Sequence, residues 1–434
     1  ALFNLAALYQ EQLEQPKKAL TYYKRVLELE KNDTAVLRRI GILYHNELND
    51  FPAAKLSYEA VLKITPFDHD VLTRLGWLNW EKIGNVDEGV KFLKKACELA
   101  PDSAWSLTHV AQVYYLIKRD AKEAERWLLR ALDADPNYDW AHAYLGAVFF
   151  ELETRYEEAE RHLRTAIKVS PDYTWAWHKL GQLALYHQEN MEKAWEALSK
   201  TLELKPDHIS ALYDIIWLAQ VGLYRPDLVV SEANELINID GDNAYACALV
   251  GRLLRYIKPD SSKAADLLYK AVTLSSDDHF VWHEYGCMLL YDVGNIEDAE
   301  EALLRAQALD NACSTVDQDI GLIRFAQGRN DAARDHFERS LEIDSDNADA
   351  WRAYGLYLFL AHADSGLIEE AFERAVELAP NNFENWAVYG GFLRECDDRS
   401  DDAKYALSKA EEIVPTTLKL DEWIARALRP IVLG

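Results

Sequence analysis

The chain has 434 residues, 49% of them hydrophobic, which is enough for a continuous core, and its formal net charge of −26 gives it no excess of Lys and Arg with which to bind phosphates. No run approaches eighteen consecutive apolar residues and no signal-peptide pattern opens the chain, so neither a membrane span nor secretion is indicated. Five cysteines, Cys97, Cys247, Cys287, Cys313 and Cys396, stand singly without paired spacing, which points to a reducing, cytoplasmic compartment and leaves cilium or nucleus open.

The first helix opens at once. Leu2 already occupies the large-residue slot of that helix and residue 1 is Ala rather than Met, so the chain is expected to be a segment of a longer protein. From there a small residue returns every thirty-five positions: Gly41, Gly76, Ala111, Gly146, Gly181, Gly251, Gly286 and Gly321, with Gly355 and Gly390 following one 34-residue step. A fixed period of this length marks a solenoid of stacked units. In the third unit Leu72, Leu75, Gly76 and Asn79 form one apolar stripe, and Gly89, Leu93, Ala96 and Leu99 form another before Pro101. Each stripe has helical spacing, so a unit is two short antiparallel helices, A and B. A mid-helix glycine costs roughly 1 kcal/mol against alanine and must be offset, here by close approach of the two helices.

A second comb, Ala19, Ala54, Gly89, Ala124, Ala159, Ala194, Ala264, Ala299, Ala333 and Ala403, supplies small residues on helix B. A third, Pro66, Pro101, Pro136, Pro171, Pro206, Pro380 and Pro415, ends each hairpin, with Gly241, Ser276, Asn311 and Ser345 holding that slot in the middle units. After Pro415 the spacing of Leu418, Trp423, Ile424 and Leu428 predicts a last helix over 416–434 that caps the open end of the core.

Segments such as WAHAYLGAVFFELETRYEEAERHLRTAIKVSP (140–171) and WAWHKLGQLALYHQENMEKAWEALSKTLELKP (175–206) resemble the tetratricopeptide repeat, whose pattern is a large residue, Leu-Gly and Tyr in helix A, then Ala, an aromatic, Ala and Pro in helix B. The resemblance covers nearly the whole chain. It implies an all-α, right-handed α-solenoid of about twelve helix hairpins, with units ending near 31, 66, 101, 136, 171, 206, 241, 276, 311, 345, 380 and 415 and a capping helix after them. Most units have thirty-five residues where the family has thirty-four. The step from Gly76 to Gly89 is one longer than the pattern and that from Gly321 to Ala333 is not, which places the extra residue in the A–B turn.

In that family positions 2, 5, 9 and 12 of helix A face the inside of the superhelix, counting the Leu-Gly pair as 7 and 8. Position 2 here is Trp105, Trp140, Trp175, Tyr245 and Phe280, and positions 9 and 12 add Trp77, Trp80, Tyr115, Phe150 and Trp217. Large aromatics gathered on a nominally exposed face mark an interaction surface, so these ten are the candidate partner-binding residues. The other reading of position 2 is mortar between repeats. Two known family sites are absent from the pattern: the carboxylate clamp would need Asn and Lys where Arg39 and Asp70 stand, and the asparagine ladder at position 6 is replaced by Arg39, Arg74, His109, Tyr144, Lys179 and Asp214.

Charge divides the chain: residues 1–200 carry 26 Lys+Arg against 30 Asp+Glu, and residues 201–434 carry 21 against 43. The acidic residues of 207–434 either solvate the convex face or recruit a basic partner. His279 and His283, one turn apart beside Asp278 and Glu284, are spaced as a divalent-metal pair, but no third inward ligand is legible, so no metal, cofactor or catalytic residue is assigned. Cys247 reads as a small buried hydrophobe. The expected function is a non-enzymatic scaffold or adaptor subunit of a larger assembly, holding an extended or helical segment of another protein in its concave groove, with no nucleic acid and no membrane. The alternative is the substrate-selecting arm of an enzyme whose catalytic domain lies outside these residues.

Overall fold

The computed structural model describes residues 1–187, 190–257, 262–396, 399–414 and 420. Among them are 24 α-helices and no strand, and no helix is long and apolar enough to cross a membrane. The helices gather into two compact units, residues 1–189 and 190–434. The helix expected over 416–434 lies outside the described residues except for Leu420, which packs on the small cluster of Ala387 and Ala410.

In the first unit, helices A at Thr34–Asn46, His69–Leu78, Ala104–Leu116 and Asp139–Glu151 alternate with helices B at Phe51–Ile64, Val86–Leu99, Ala121–Ala134 and Tyr156–Val169. The helix starts are written locally: Asp33, Asp50, Asp68, Asn85, Ser103 and Asp120 each accept a hydrogen bond from an amide of the first turn. Such caps satisfy donors that the helix cannot, and each contributes about 1 kcal/mol.

What joins A to B is contact at the glycine comb. A Cβ on Gly146 would stand 2.7 Å from Leu163 Cγ and 3.1 Å from the Ala159 carbonyl oxygen, and one on Gly76 would stand 2.7 Å from Leu93 Cγ and 2.9 Å from the Gly89 carbonyl oxygen. In the second unit Gly251 meets Leu268 and Gly286 meets Leu303 in the same way, while Gly41 and Gly355 face the rings of Tyr58 and Phe372. The partner of each glycine is thus a large side chain on helix B, fitted into the space that a missing Cβ leaves. The small residues of helix B bring their backbone close. Leu93, Leu163, Leu268 and Leu303 are fully buried, and burying each contributes about 1.5–3 kcal/mol.

The thirty-fifth residue sits in the A–B turn. In long units the chain closes over six residues, as where the Asp120 amide donates to the Tyr114 carbonyl and the Arg155 amide to that of Phe149. Shorter units close over five: Arg329 donates to Arg324 and Ala363 to Leu358. Helix A of three long units takes up the extra residue as a π-turn, at Asn79–Ile83, Leu218–Gly222 and Leu289–Val293. Every described long turn then passes through a left-handed residue, and these keep the 35-residue period: Glu14, Asn49, Gly84, Arg119, Thr154, Tyr224 and Gly294.

One hairpin of the second unit departs from the rule. Its comb position is Ile216, its helix B is short (Val230–Asp240), and a 3-10 turn at Pro226–Val229 precedes it. A branched side chain where the others have glycine or alanine blocks the usual approach.

If the comb contact holds each hairpin together, Gly146→Leu and Gly251→Leu should each lose about 1–3 kcal/mol or more through overpacking. Loss should begin locally, because a repeat contacts only its neighbours. Faster hydrogen exchange in residues 139–169 or 244–274 and a lower Tm are expected; unchanged exchange and Tm in both variants would contradict the packing.

Candidate functional site

Along the helices A of the first unit, side chains at positions 12, 9 and 6 of successive repeats meet in a diagonal. His45 lies 4.6 Å from Trp77 between ring centroids, and Trp77 stacks on His109 at 5.2 Å. His109 is in turn edge-on to Trp105 and Trp140 at 5.3 and 6.1 Å, and Arg74 lies 5.0 Å over the Trp105 ring. The strip continues through Tyr144, 4.6 Å from Trp175, and Tyr173, which stacks with Trp140 and Trp175. Position 6, where the asparagine ladder is missing, is therefore the rung that receives the aromatics: Arg74, His109 and Tyr144.

Of the ten candidate residues, Trp77, Trp105, Trp140, Trp175, Trp217 and Phe280 are half-buried, and Tyr245 is exposed at 37%. Tyr245 lies between the tilted rings of Tyr213 and Phe280, with centroids 5.6 and 5.0 Å away. Trp80, Tyr115 and Phe150 are instead enclosed, at 7, 2 and 7% exposure. The reason lies in their position 12: Gly89 lets helix B close on the Cβ of Trp80, while Tyr144 covers Tyr115 and His187 covers Phe150. These three rings belong to the packing, and an open aromatic face in the first unit is left to Trp77, Trp105, Trp140 and Trp175.

The second unit carries charge where the first carries rings. Arg252 and Arg255 approach Glu284 at 3.5 and 3.6 Å, Arg255 also pairs with Asp292, and Arg352 bridges Asp349 and Glu384. Near them Gln220, Tyr224, Arg252, Tyr256, Asp349, Asn382 and Glu384 line a cavity of about 50 Å³, room for about three to five waters at about 10–15 Å³ each. The irregular seventh hairpin supplies its wall: Tyr224, left-handed at φ 51°, reaches residues that follow it by more than a hundred positions. Burial, with Asp349 adding to it, pushes the Tyr224 hydroxyl up to about 12, and burial also raises the Glu384 carboxyl against the pull of Arg352.

A third cluster was half legible in the sequence. His279 does not join His283; its Nε2 lies 3.8 Å from Asp310. His283 Nε2 instead bonds Asp319 Oδ2 at 2.8 Å, and the Cys287 thiol donates to the same oxygen at 3.1 Å. Tyr291 donates to Asp319 Oδ1 at 2.6 Å. Burial drives the Cys287 thiol well above its ordinary value; it also opposes the charges of His283 and Asp319, yet their mutual bond keeps His283 raised and Asp319 lowered. Cys247 is buried as expected, its thiol directed at the Gly241 carbonyl.

His45 and His109 give the first unit a pH dependence. Burial, aided by Arg74, holds both at about 4 against an ordinary 6.5, and neither nitrogen of His45 has a hydrogen-bond partner among the described residues. The folded unit thus refuses protons that the unfolded chain accepts as pH falls. Stability is full above about pH 6.5 and drains towards pH 4, by up to about 1.4 kcal/mol per pH unit for each histidine. In denaturant titrations at pH 7 and pH 5, His109→Gln should lose less stability on acidification than the parent, by roughly 2 kcal/mol. An equal loss in both would contradict a neutral, buried His109.

The family model described as Tetratricopeptide repeat matches residues 47–104, 153–209, 288–346 and 319–383, and a second model of the same description matches residues 1–37. No curated protein sequence gives a match. Among solved structures, PilF of Pseudomonas aeruginosa is similar over 51% of this chain and 96% of its own, at 23% identity and a TM-score of 0.45. YrrB, described as a TPR protein with an unusual peptide-binding site, is similar over 44% and 96%, at 20% identity and a TM-score of 0.37. The human IFIT1 dimer with m7Gppp-AAAA is similar over 80% and 90%, at 15% identity and a TM-score of 0.44. The repeat matches together span more than half of the sequence, and the chain belongs to the tetratricopeptide repeat family, whose arrays are protein-interaction scaffolds.

Proposed function

We propose that this protein is a non-enzymatic adaptor that holds an extended or helical segment of a partner protein against the helix-A face of residues 69–186, as a subunit of a larger assembly. The observation that carries this reading is the strip of half-buried rings Trp77, Trp105, Trp140 and Trp175, spaced at centroid distances of about 5–6 Å through His109, Tyr144 and Tyr173. Large rings prefixed by their neighbours offer contact area at little entropic cost, and such residues dominate binding energy. Charge supports a division of labour. The second unit pairs the buried Glu284 and the half-buried Glu384 with arginine, while Asp242, Asp346 and Asp401, paired with Lys270, Arg374 and Lys404, stand 97, 75 and 96% exposed. The excess of 43 Asp+Glu over 21 Lys+Arg in residues 201–434 steers a basic partner and disfavours nucleic acid. Against catalysis stands the use of glycine: the comb glycines serve helix contact, which leaves no phosphate-cradling loop in the pattern.

Partners recovered with the full chain and identified by mass spectrometry supply the ligand for the test. Trp105→Ala and Trp140→Ala should each weaken capture by about 2–4 kcal/mol while the far-UV spectrum is kept. Intact affinity accompanied by a large fall in Tm would make these rings mortar between repeats and move the binding surface elsewhere. For a basic partner, the on-rate should fall steeply once salt brings the Debye length to about 10 Å, near 0.1 M; a salt-independent rate would leave the acidic residues as solvation alone.

A further inference from the structure

We propose that His283, Cys287 and Asp319 form a binding site for a single zinc ion, with an open fourth position. Three donors of different kinds converge on one point: imidazole Nε2, thiol Sγ and carboxylate Oδ2 all lie within 4.8 Å of one another. The separations are 2.8 Å for His283–Asp319, 3.1 Å for Cys287–Asp319 and 3.4 Å for Cys287–His283. A tetrahedral zinc with bonds of about 2.0–2.3 Å sets such donors about 3.3–3.6 Å apart. The Cys287–His283 side is already close to that span, and the two sides at Asp319 open by about 0.4–0.5 Å to admit the ion.

The fold preorganises this triangle. His283 and Cys287 are one turn apart on the helix His279–Met288, at positions 5 and 9, and Asp319 is at position 6 of the next helix A, Ser314–Ala326. The hydrogen bond between two buried groups accounts for His283 and Asp319 but not for a thiol aimed at the same carboxylate oxygen, which an apolar side chain would fill as well. Outer contacts are those of a metal site. Tyr291 holds the second oxygen of Asp319, and His283 turns Nε2 to Asp319 and Cys287 while its Nδ1 lies 3.7 Å from Glu284 Oε1. Local charge also closes: the guanidinium groups of Arg252 and Arg255 and the two charges of the ion balance Glu284, Asp292, Asp319 and the Cys287 thiolate. Coordination releases the thiol proton to solvent. Tyr291, beside the cluster, is 47% exposed. Three protein ligands of mixed N, S and O type are the pattern of a zinc site that keeps one position for water or another donor, whereas a closed structural site uses four.

The full chain, stripped with a chelator and kept reduced, is titrated with Co²⁺. A thiolate-to-cobalt charge-transfer band saturating at one equivalent is expected, displaced by one equivalent of Zn²⁺. Cys287→Ala should abolish the band, Cys313→Ala should keep it, and Tyr291→Phe should weaken binding by roughly 10–100-fold through the freed Asp319 oxygen. Zn²⁺ should also raise the Tm of the parent and leave that of Cys287→Ala unmoved. The site is overturned if no band forms at saturating Co²⁺ in the parent, or if the band survives in Cys287→Ala.

Discussion

Everything in this molecule hangs on one contact, repeated: a helix-A position with no side chain, into which a large helix-B side chain is pressed. A glycine in mid-helix is a local loss of about 1 kcal/mol, and it persists because it allows Leu93, Leu163, Leu268, Leu303, Tyr58 or Phe372 to be buried at a distance that no Cβ would tolerate. With the two helices fixed at that spacing, the helices A of successive repeats fall into register, and positions 12, 9 and 6 line up as a diagonal. The diagonal is a general socket. It holds aromatic rings in the first unit and ion pairs or metal-type donors in the second, without any change in the frame.

The exception proves how the frame constrains function. Ile216 replaces the small residue in one hairpin, and that hairpin is the one whose turn carries Tyr224 to the cavity shared with Asp349, Asn382 and Glu384. That turn reaches residues more than a hundred positions further along the same unit. Turn geometry follows unit length: in every described long unit, this one included, the thirty-fifth residue is absorbed by a wider closing bond or a π-turn and a left-handed residue, and the shorter units close over five.

The period, the hairpins and the place of the extra residue were legible because each is a matter of counting along the chain. The left-handed turn positions were not, since Glu14, Asn49, Arg119, Thr154 and Tyr224 carry no glycine to announce them. Helix facing alone placed Trp80, Tyr115 and Phe150 on the inner side, and it misjudged their exposure, because enclosure is set by which residue the next repeat or helix B brings up: Tyr144, His187 or Gly89. Likewise His109 carried no signal as a missing asparagine, though position 6 is where Trp77 lands. For the His283 cluster the other two donors, Asp319 and Cys287, sit at positions 6 and 9 of the same grid. Reading those positions across neighbouring repeats, rather than along one helix, would have found them.

The central claim is that partners are gripped on the helix-A face of the first unit and not on exposed helix-B surface. Oxidative footprinting of the full chain, free and bound to a partner recovered from cells, reads this directly. Protection of Trp77, Trp105, Trp140 and Trp175, with Tyr269 and Tyr405 on helices B as reactive as before, is the expected result. Protection confined to those exposed helix-B tyrosines, with the four tryptophans unchanged, would contradict it.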